Sequence, residues 1–249
     1  MRTLLAALKL AFFAASTFGL FAVWWTGNLV VPNKVYWRQV FFGWWAKSFV
    51  IASRMKLEVV GTPPRAPFFL VTNHLSYADI PALRTAVPCV FVAKGEIEGW
   101  AVIGRMVRDM AGTIFIDRQN RRDIPRAGEL IMERLGGGEG VVIFPEGTST
   151  KGERVEPFHS SFFEFAVQER LPVSYAALTY KTPAGELEAH DAVCWWEDIG
   201  FFAHMWRLLK VRGYTTVITF GASPVAGTDR KTLAQELHDR VEEKFTPVL

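Results

Sequence analysis

Polar positions are sparse at the amino-terminal end of the chain. From Leu4 to Trp25 the sequence is apolar apart from Lys9, Ser16 and Thr17, and no charge falls between Leu10 and Asn33. This run predicts one long helix, near the about 20 apolar residues needed to cross a bilayer. Gly27-Asn28 and Pro32-Asn33 read as a turn, and Val35–Ser53 as a second helix rich in aromatic residues. On a helical wheel Lys34 and Arg38 fall on one side of this second helix, with Lys47 and Arg54 nearly opposite, so no clean amphipathic face emerges.

Near residue 55 the period changes. Short β-branched or apolar runs predict strands at Lys56–Val60, Pro67–Thr72, Cys89–Ala93, Thr113–Ile116, Val141–Phe144, Val173–Thr179 and Thr216–Phe220. Helical stretches fall between several of them: Asp79–Ala86, Trp100–Arg108, Asp123–Leu135, Phe158–Arg170 and Asp229–Phe245. The third has Pro125 in its first turn and stops at Gly136-Gly137-Gly138. Alternating strands and helices imply an α/β layered fold around a largely parallel or mixed sheet, with chemistry on loops at one edge. The chain therefore divides into a two-helix arm, residues 1–54, and an α/β domain, residues 55–249.

Charge and aromatic content sharpen the view of the arm. Residues 1–60 carry seven Lys or Arg against one acid, Glu58, a net +6, which leaves −3 for the remainder of a chain of net charge +3. Five of the nine tryptophans, Trp24, Trp25, Trp37, Trp44 and Trp45, lie in the same stretch. A basic, tryptophan-rich, apolar arm on a mildly acidic body is the composition of a membrane anchor. The expectation is two membrane-embedded helices, either a shallow hairpin in one leaflet or one span with an interfacial helix; two core helices of a soluble fold are the other reading. Basic residues flank the first helix on both sides, so the positive-inside rule sets no orientation. No small-x-small cleavage site precedes a polar start, so the arm reads as retained rather than as a signal peptide. The body has no basic patch and no nucleic-acid recognition motif. Cys89 and Cys194 sit in apolar, strand-like contexts without metal-ligand spacing and read as buried free thiols.

Three of the predicted strands run into polar loops. FFLVTNHLSYAD places Asn73-His74 after a strand and Asp79 five residues beyond His74; GTIFIDR places Asp117-Arg118 after another; VVIFPEGTST places Pro145-Glu146-Gly147-Thr148 after a third. A hydroxyl becomes a good nucleophile when a base removes its proton, and histidine suits that role near neutral pH. An aspartate on the other ring nitrogen would fix the tautomer and steady the imidazolium. A thioester releases a thiol with a pKa of about 8.5, so its cleavage needs little acid assistance. One His–Asp pair then suffices, in keeping with the absence of a G-x-S-x-G elbow. Taken alone, H-x4-D leaves open a loop histidine and an N-capping aspartate.

The motifs NHxxxxD, FIDR and FPEGT, in this order and each after a strand, together with LPVSYAALTY at Leu171–Tyr180, resemble the glycerophospholipid acyltransferase family, which includes bacterial 1-acylglycerol-3-phosphate acyltransferases. The resemblance covers roughly residues 55–225 and extends to the two-helix arm. It implies transfer of a fatty acyl group from acyl-CoA or acyl carrier protein to a free hydroxyl of a lysolipid, foremost 1-acyl-sn-glycerol-3-phosphate. His74 would be the general base and Asp79 its partner. Lys94 and Arg118 would bind the anionic head, cationic side chains being the expected phosphate ligands. Glu146, Gly147 and Thr148 would shape the acceptor pocket, with Asn73 and Asp117 among the substrate-binding residues. Ordinary surface charge for Lys94 and Arg118, and a loop-locking acceptor for Glu146, are the alternatives. The resemblance implies no cofactor and no metal beyond the thioester co-substrate. It places the chain at the cytoplasmic membrane, with its site on the cytoplasmic side.

Two departures bear on the acceptor. The family's third motif commonly reads FPEGTRS, with an arginine at phosphate; here Ser149 stands in that position. Phe158-His159-Ser160-Ser161 replaces the frequent Phe-Lys-x-Gly. Together with AVCWWEDIGFFAHMWRLL, these features more loosely resemble members that acylate phosphate-free lysolipids such as lyso-ornithine lipid. A thioester hydrolase and an inactive membrane-anchored lipid-binding protein on the same fold are the other classes to weigh.

Overall fold

The computed structural model describes residues 1–95, 101–116 and 123–248; the side chains of residues 94, 101–103 and 124 lie outside that description. Among the described residues seven strands form one sheet. They are β1 (Met55–Val60), β2 (Phe68–Thr72), β3 (Cys89–Lys94), β4 (Ile114–Ile116), β5 (Gly140–Ile143), β6 (Val173–Lys181) and β7 (Tyr214–Phe220), in the order β1-β7-β6-β2-β5-β3-β4. Every neighbouring pair is parallel except β6 and β7. The mixed sheet and all seven strands follow the sequence pattern to within a few residues at each end.

Nine α-helices surround the sheet: α1 (Arg2–Gly27), α2 (Lys34–Ser53), α3 (Asp79–Ala86), α4 (Ala101–Asp109), α5 (Asp123–Gly136), α6 (Glu164–Gln168), α7 (Ala189–Ala192), α8 (Phe201–Lys210) and α9 (Arg230–Lys244), among the described residues. Central strand β2 is buried along its whole length, and its alternating side chains sort the layers. Phe68 and Leu70 pack with Phe42 and Phe49 of α2, Leu83 of α3 and Leu208 of α8. Phe69 and Val71 pack with Ile131 of α5, Phe165 of α6 and Leu237 of α9. Each such side chain, fully buried, contributes about 1.5–3 kcal/mol relative to exposure. A three-layer αβα body results.

The helical segments after β5 and after β6 differ from the sequence pattern. The helix expected over Phe158–Arg170 is a 3-10 turn, Ser160–Phe163, followed by the short α6. His159 donates its backbone N–H to the Pro145 carbonyl at 3.0 Å, which ties the start of this segment to the loop after β5 instead. Helix α8 was not among the expected helices, although it buries His204, Met205, Leu208 and Leu209 at helical spacing. The expected helix start at Trp100 lies outside the described residues.

The two amino-terminal helices have different roles. At 26 residues α1 is long and apolar enough to cross a membrane; at 1.5 Å per residue it is about 39 Å long. Leu8, Phe12 and Phe18 on it are exposed. Lys9, its one interior charge, is buried, and its ammonium donates to the carbonyls of Leu209 and Val211 at 3.0 and 2.8 Å. These carbonyls close the end of α8, where a cation complements the helix dipole. Helix α2 is capped by the Asn33 side chain, which accepts from the Tyr36 N–H. It packs against α1 and α3 and buries Arg38, Phe41, Phe42, Ala46, Phe49 and Ala52. Arg38 meets Glu139, beside β5, at 2.5 Å. The expectation of two embedded helices is thereby narrowed: α1 offers an apolar outer face, whereas α2 has one side built into the core. The charges that spoiled its amphipathic wheel divide between a buried ion pair and an outer face.

Candidate active site

Strands β6, β2, β5, β3 and β4 run in one direction, so their carboxyl ends share one edge of the sheet. Asn73-His74 follow β2, and Glu146 lies in the loop after the adjacent β5. Lys94 ends β3, one strand further on. Asp117 and Arg118 follow β4 but lie outside the described residues, as does the Lys94 side chain. The topology therefore lines up the starts of the predicted loops.

His74 is held through one ring nitrogen, one ring face and its backbone. Its Nδ1 lies 2.7 Å from Asp79 Oδ2. A carboxylate only accepts, so Nδ1 carries the proton, and among the described residues the lone pair of Nε2 has no partner. The ring stacks on Phe144, with centroids 4.1 Å apart and planes 20° apart. Its backbone N–H donates to Glu146 Oε2 at 2.6 Å, and its carbonyl accepts the Thr150 N–H at 3.0 Å. The His74 side chain remains 20% exposed, whereas that of Asp79 is fully buried.

Asp79 opens α3, close to the positive end of the helix dipole. Its Oδ2 also accepts the backbone N–H groups of Leu75 at 2.8 Å and Ser76 at 3.0 Å. The Tyr180 hydroxyl donates to Oδ1. Four donors thus converge on one buried carboxylate, which fixes its direction. Tyr180 closes the block LPVSYAALTY, which by itself assigns it no role. Its contact spans the sheet, from β6 to the start of α3, and leaves no local signal in the sequence.

Asn73 and Glu146 are buried next to His74 and make structural contacts there. Asn73 is fully buried and bridges to β6, donating to the Leu178 carbonyl at 3.0 Å and accepting its N–H at 2.7 Å. Glu146 accepts the His74 N–H on one oxygen and the Glu156 N–H, at 2.8 Å, on the other. The loop-locking alternative describes this geometry. Gly147 permits the turn with φ of +83°, a region glycine occupies without steric cost. Thr148 is exposed beside it. Ser149 turns its hydroxyl to the Trp195 carbonyl, while the backbone N–H of Trp195 donates to the Leu75 carbonyl at 2.8 Å.

Trp195 belongs to an aromatic wall. Tyr77 meets the rings of Trp195 and Phe201 edge-on, at 5.6 and 4.9 Å. Its hydroxyl lies 3.0 Å from Nδ1 of His204. Nε2 of His204 donates to the Cys194 carbonyl at 2.9 Å, so Nδ1 accepts from Tyr77. Burial, with the nearby Arg207, pushes His204 down to about 4, which keeps it neutral. Both ring nitrogens of His204 are engaged, whereas His74 keeps one nitrogen for a substrate.

Burial also sets a pH dependence. It pushes the Glu146 carboxyl up to about 8, against the pull of the two N–H groups. The folded state then retains a proton that the unfolded chain releases from about 4.5 upward. This contribution to stability is fully present below that value and is lost as pH rises through about 8. The unfolding midpoint is expected to fall across this window in thermal melts. Glu146→Gln, which does not titrate, should flatten the slope while losing one of the two N–H contacts.

A carboxylate-oriented histidine with one free nitrogen, at the edge of a sheet and next to an aromatic wall, can accept a proton from a hydroxyl that attacks an acyl carbon. Comparison with known proteins leads to the same chemistry. The chain is 32% identical over 205 residues to the lyso-ornithine lipid O-acyltransferase of Pseudomonas aeruginosa, covering 82% of this chain and 78% of that one. It is 31% identical over 205 residues to the 1-acyl-sn-glycerol-3-phosphate acyltransferase of Neisseria gonorrhoeae, with the same coverage. The fold superimposes on the crystal structure of the 1-acyl-sn-glycerophosphate acyltransferase PlsC from Thermotoga maritima with a TM-score of 0.69 and 19% identity, over 98% of this chain and 97% of the other. Residues 56–178, which hold His74, Asp79 and Glu146, match the family described as Acyltransferase, and to that acyltransferase family this chain belongs.

Proposed function

We propose that the chain acylates the free hydroxyl of a lysolipid, with 1-acyl-sn-glycerol-3-phosphate as acceptor and phosphatidic acid as product. The observation that carries this reading is the orientation of His74: Nδ1 is bound to Asp79 and Nε2 is free. As the acceptor oxygen attacks the thioester carbonyl, Nε2 takes its proton. The C–S bond breaks, and the thiolate of the donor, acyl-CoA or acyl carrier protein, leaves. Asp79 stabilises the imidazolium. Lys94 and Arg118, at the ends of β3 and β4, would meet the acceptor's phosphate; the reading calls for no metal or other cofactor. The arm, residues 1–54, would hold the enzyme at the cytoplasmic membrane through the exposed apolar face of α1, with the His74 edge on the cytoplasmic side. Two buried free thiols, Cys89 and Cys194, suit that reducing compartment.

A second reading, in which the acceptor is a phosphate-free lysolipid such as lyso-ornithine lipid, is favoured by one observation. Ser149, at the position of the family's phosphate-contacting arginine, spends its hydroxyl on the Trp195 carbonyl. The test is acyl transfer by the purified protein to both acceptors, for wild type and Ser149→Arg, with products identified by mass. On the first reading lysophosphatidic acid is the better acceptor, and Ser149→Arg lowers its KM. A charge-assisted hydrogen bond of about 1.5–3 kcal/mol sets the limit of that gain at roughly 10- to 150-fold. Better wild-type turnover of lyso-ornithine lipid, impaired by the added cation, would instead carry the second reading. Loss of thioester without lipid product would remove both.

A further inference from the structure

Away from His74, a buried cation lacks a counter-charge. Arg84, in the last turn of α3, is only 8% exposed. Its Nη2 donates to the Gln39 carbonyl and its guanidinium lies 5.4 Å from the centre of the Phe42 ring. Gly43 makes room for it, since a Cβ there would sit 3.2 Å from Nη2. Among the described residues Arg84 has no carboxylate within ion-pair distance, and its buried Nε has no hydrogen-bond partner. The neighbouring Glu139 is already taken by Arg38 at 2.5 Å and by Arg134 at 3.7 Å. A buried guanidinium without an anion is costly, and an unsatisfied donor of this kind calls for a ligand.

Arg84 lines a recess of about 290 Å³ between α2 and the end of α3, together with Gln39, Gly43, Trp44, Lys47 and Pro88. Among the described residues no acidic side chain borders it. Arginine's planar fork suits phosphate oxygens, and the ammonium of Lys47 adds a second charge. Tyr36, Val40, Trp44, Lys47 and Ile51 recur at spacings of three or four, so they share one face of α2. Tyr36, Trp44, Lys47 and Ile51 on that face are exposed. An outward stripe of aromatic and aliphatic residues with one long-stemmed lysine is a bilayer-interface pattern, which free phosphate would not require. Pro88 lies just before β3, at the opposite sheet edge from His74, so the recess is separate from the candidate active site.

We infer that this recess binds the phosphate head group of an anionic membrane lipid, with Trp44 and its stripe resting at the lipid surface. The test is sedimentation of the full-length protein with phosphatidylcholine vesicles, with and without phosphatidylglycerol. Wild type should bind the anionic vesicles more tightly. Lys47→Glu, at an exposed position that leaves the fold intact, should lose roughly 5- to 30-fold of that preference. Lys231→Glu on α9, an equal change in net charge, should keep it. Arg84→Gln should lose it as well, with folding checked by circular dichroism and Arg84→Lys as the gentler variant. Equal behaviour of Lys47→Glu and Lys231→Glu overturns the inference, as does a folded Arg84 variant with the wild-type preference. Inorganic phosphate serves as the remaining probe. If it raises the melting temperature of wild type but not of Lys47→Glu, while vesicle composition makes no difference, the site takes free phosphate and the lipid assignment falls.

Discussion

Replacing His74 with alanine is expected to lower acyl transfer by about 10² to 10⁴, the usual contribution of a general base. The effect should fall on turnover and not on folding. The backbone contacts of residue 74 to Glu146 and Thr150 do not involve the imidazole, so they persist in the variant. Loss of the ring uncovers one face of Phe144 and removes one of four donors to Asp79, which keeps Leu75, Ser76 and Tyr180. Turnover measured with saturating thioester and lysolipid, alongside a thermal melt, checks this. Near-normal turnover in a folded His74→Ala protein would eliminate the mechanism.

Asp79→Ala should damage both activity and stability. It leaves the ring nitrogen, two backbone N–H groups and the Tyr180 hydroxyl without their shared acceptor in a fully buried place. Each unsatisfied buried donor costs about 1–3 kcal/mol, so the variant should approach the limit of marginal stability of about 5–15 kcal/mol. Asp79→Asn separates the two effects. An asparagine oxygen in the Oδ2 position can still accept from His74, Leu75 and Ser76, and the Tyr180 hydroxyl can turn to accept from the amide. Fold and tautomer survive, but the negative charge facing the imidazolium does not. Its expected loss of turnover is smaller than that of His74→Ala, about 5- to 70-fold, the difference of about 1–2.5 kcal/mol between a charged and a neutral hydrogen bond. A stable Asp79→Ala protein with a melting temperature equal to wild type would show that the convergence on this carboxylate is not structural.

The sheet was legible in the sequence because strand runs such as FFLVT and VVIF are short, apolar and bounded by turn residues. The placement of His74 and Asp79 was legible because both lie within one loop and the helix it enters. Asn73 and Glu146 were harder. They belong to the same motifs as His74, and adjacency in sequence does not say whether a polar side chain faces a ligand or a neighbouring strand. Only the pairing of β2 with β5 and β6 turns them inward. Arg38 misled for a related reason. On a wheel, a charge marks the wet side of a helix, unless a partner a hundred residues away in sequence is buried with it, as Glu139 is. The tie from Ser149 to Trp195 joins two loops far apart in sequence and has no periodic or compositional trace.

The grip on the imidazole has an entropic consequence. A loop histidine in solution samples several χ1 and χ2 states, and only a few present Nε2 to a substrate. In this chain Asp79 fixes the rotation of the ring and Phe144 fixes its plane, while Glu146 and Thr150 hold the backbone that carries it. The ordering of the base is therefore completed once, when the chain folds, and is not repeated in each catalytic cycle. An arriving hydroxyl has only its own freedom to lose.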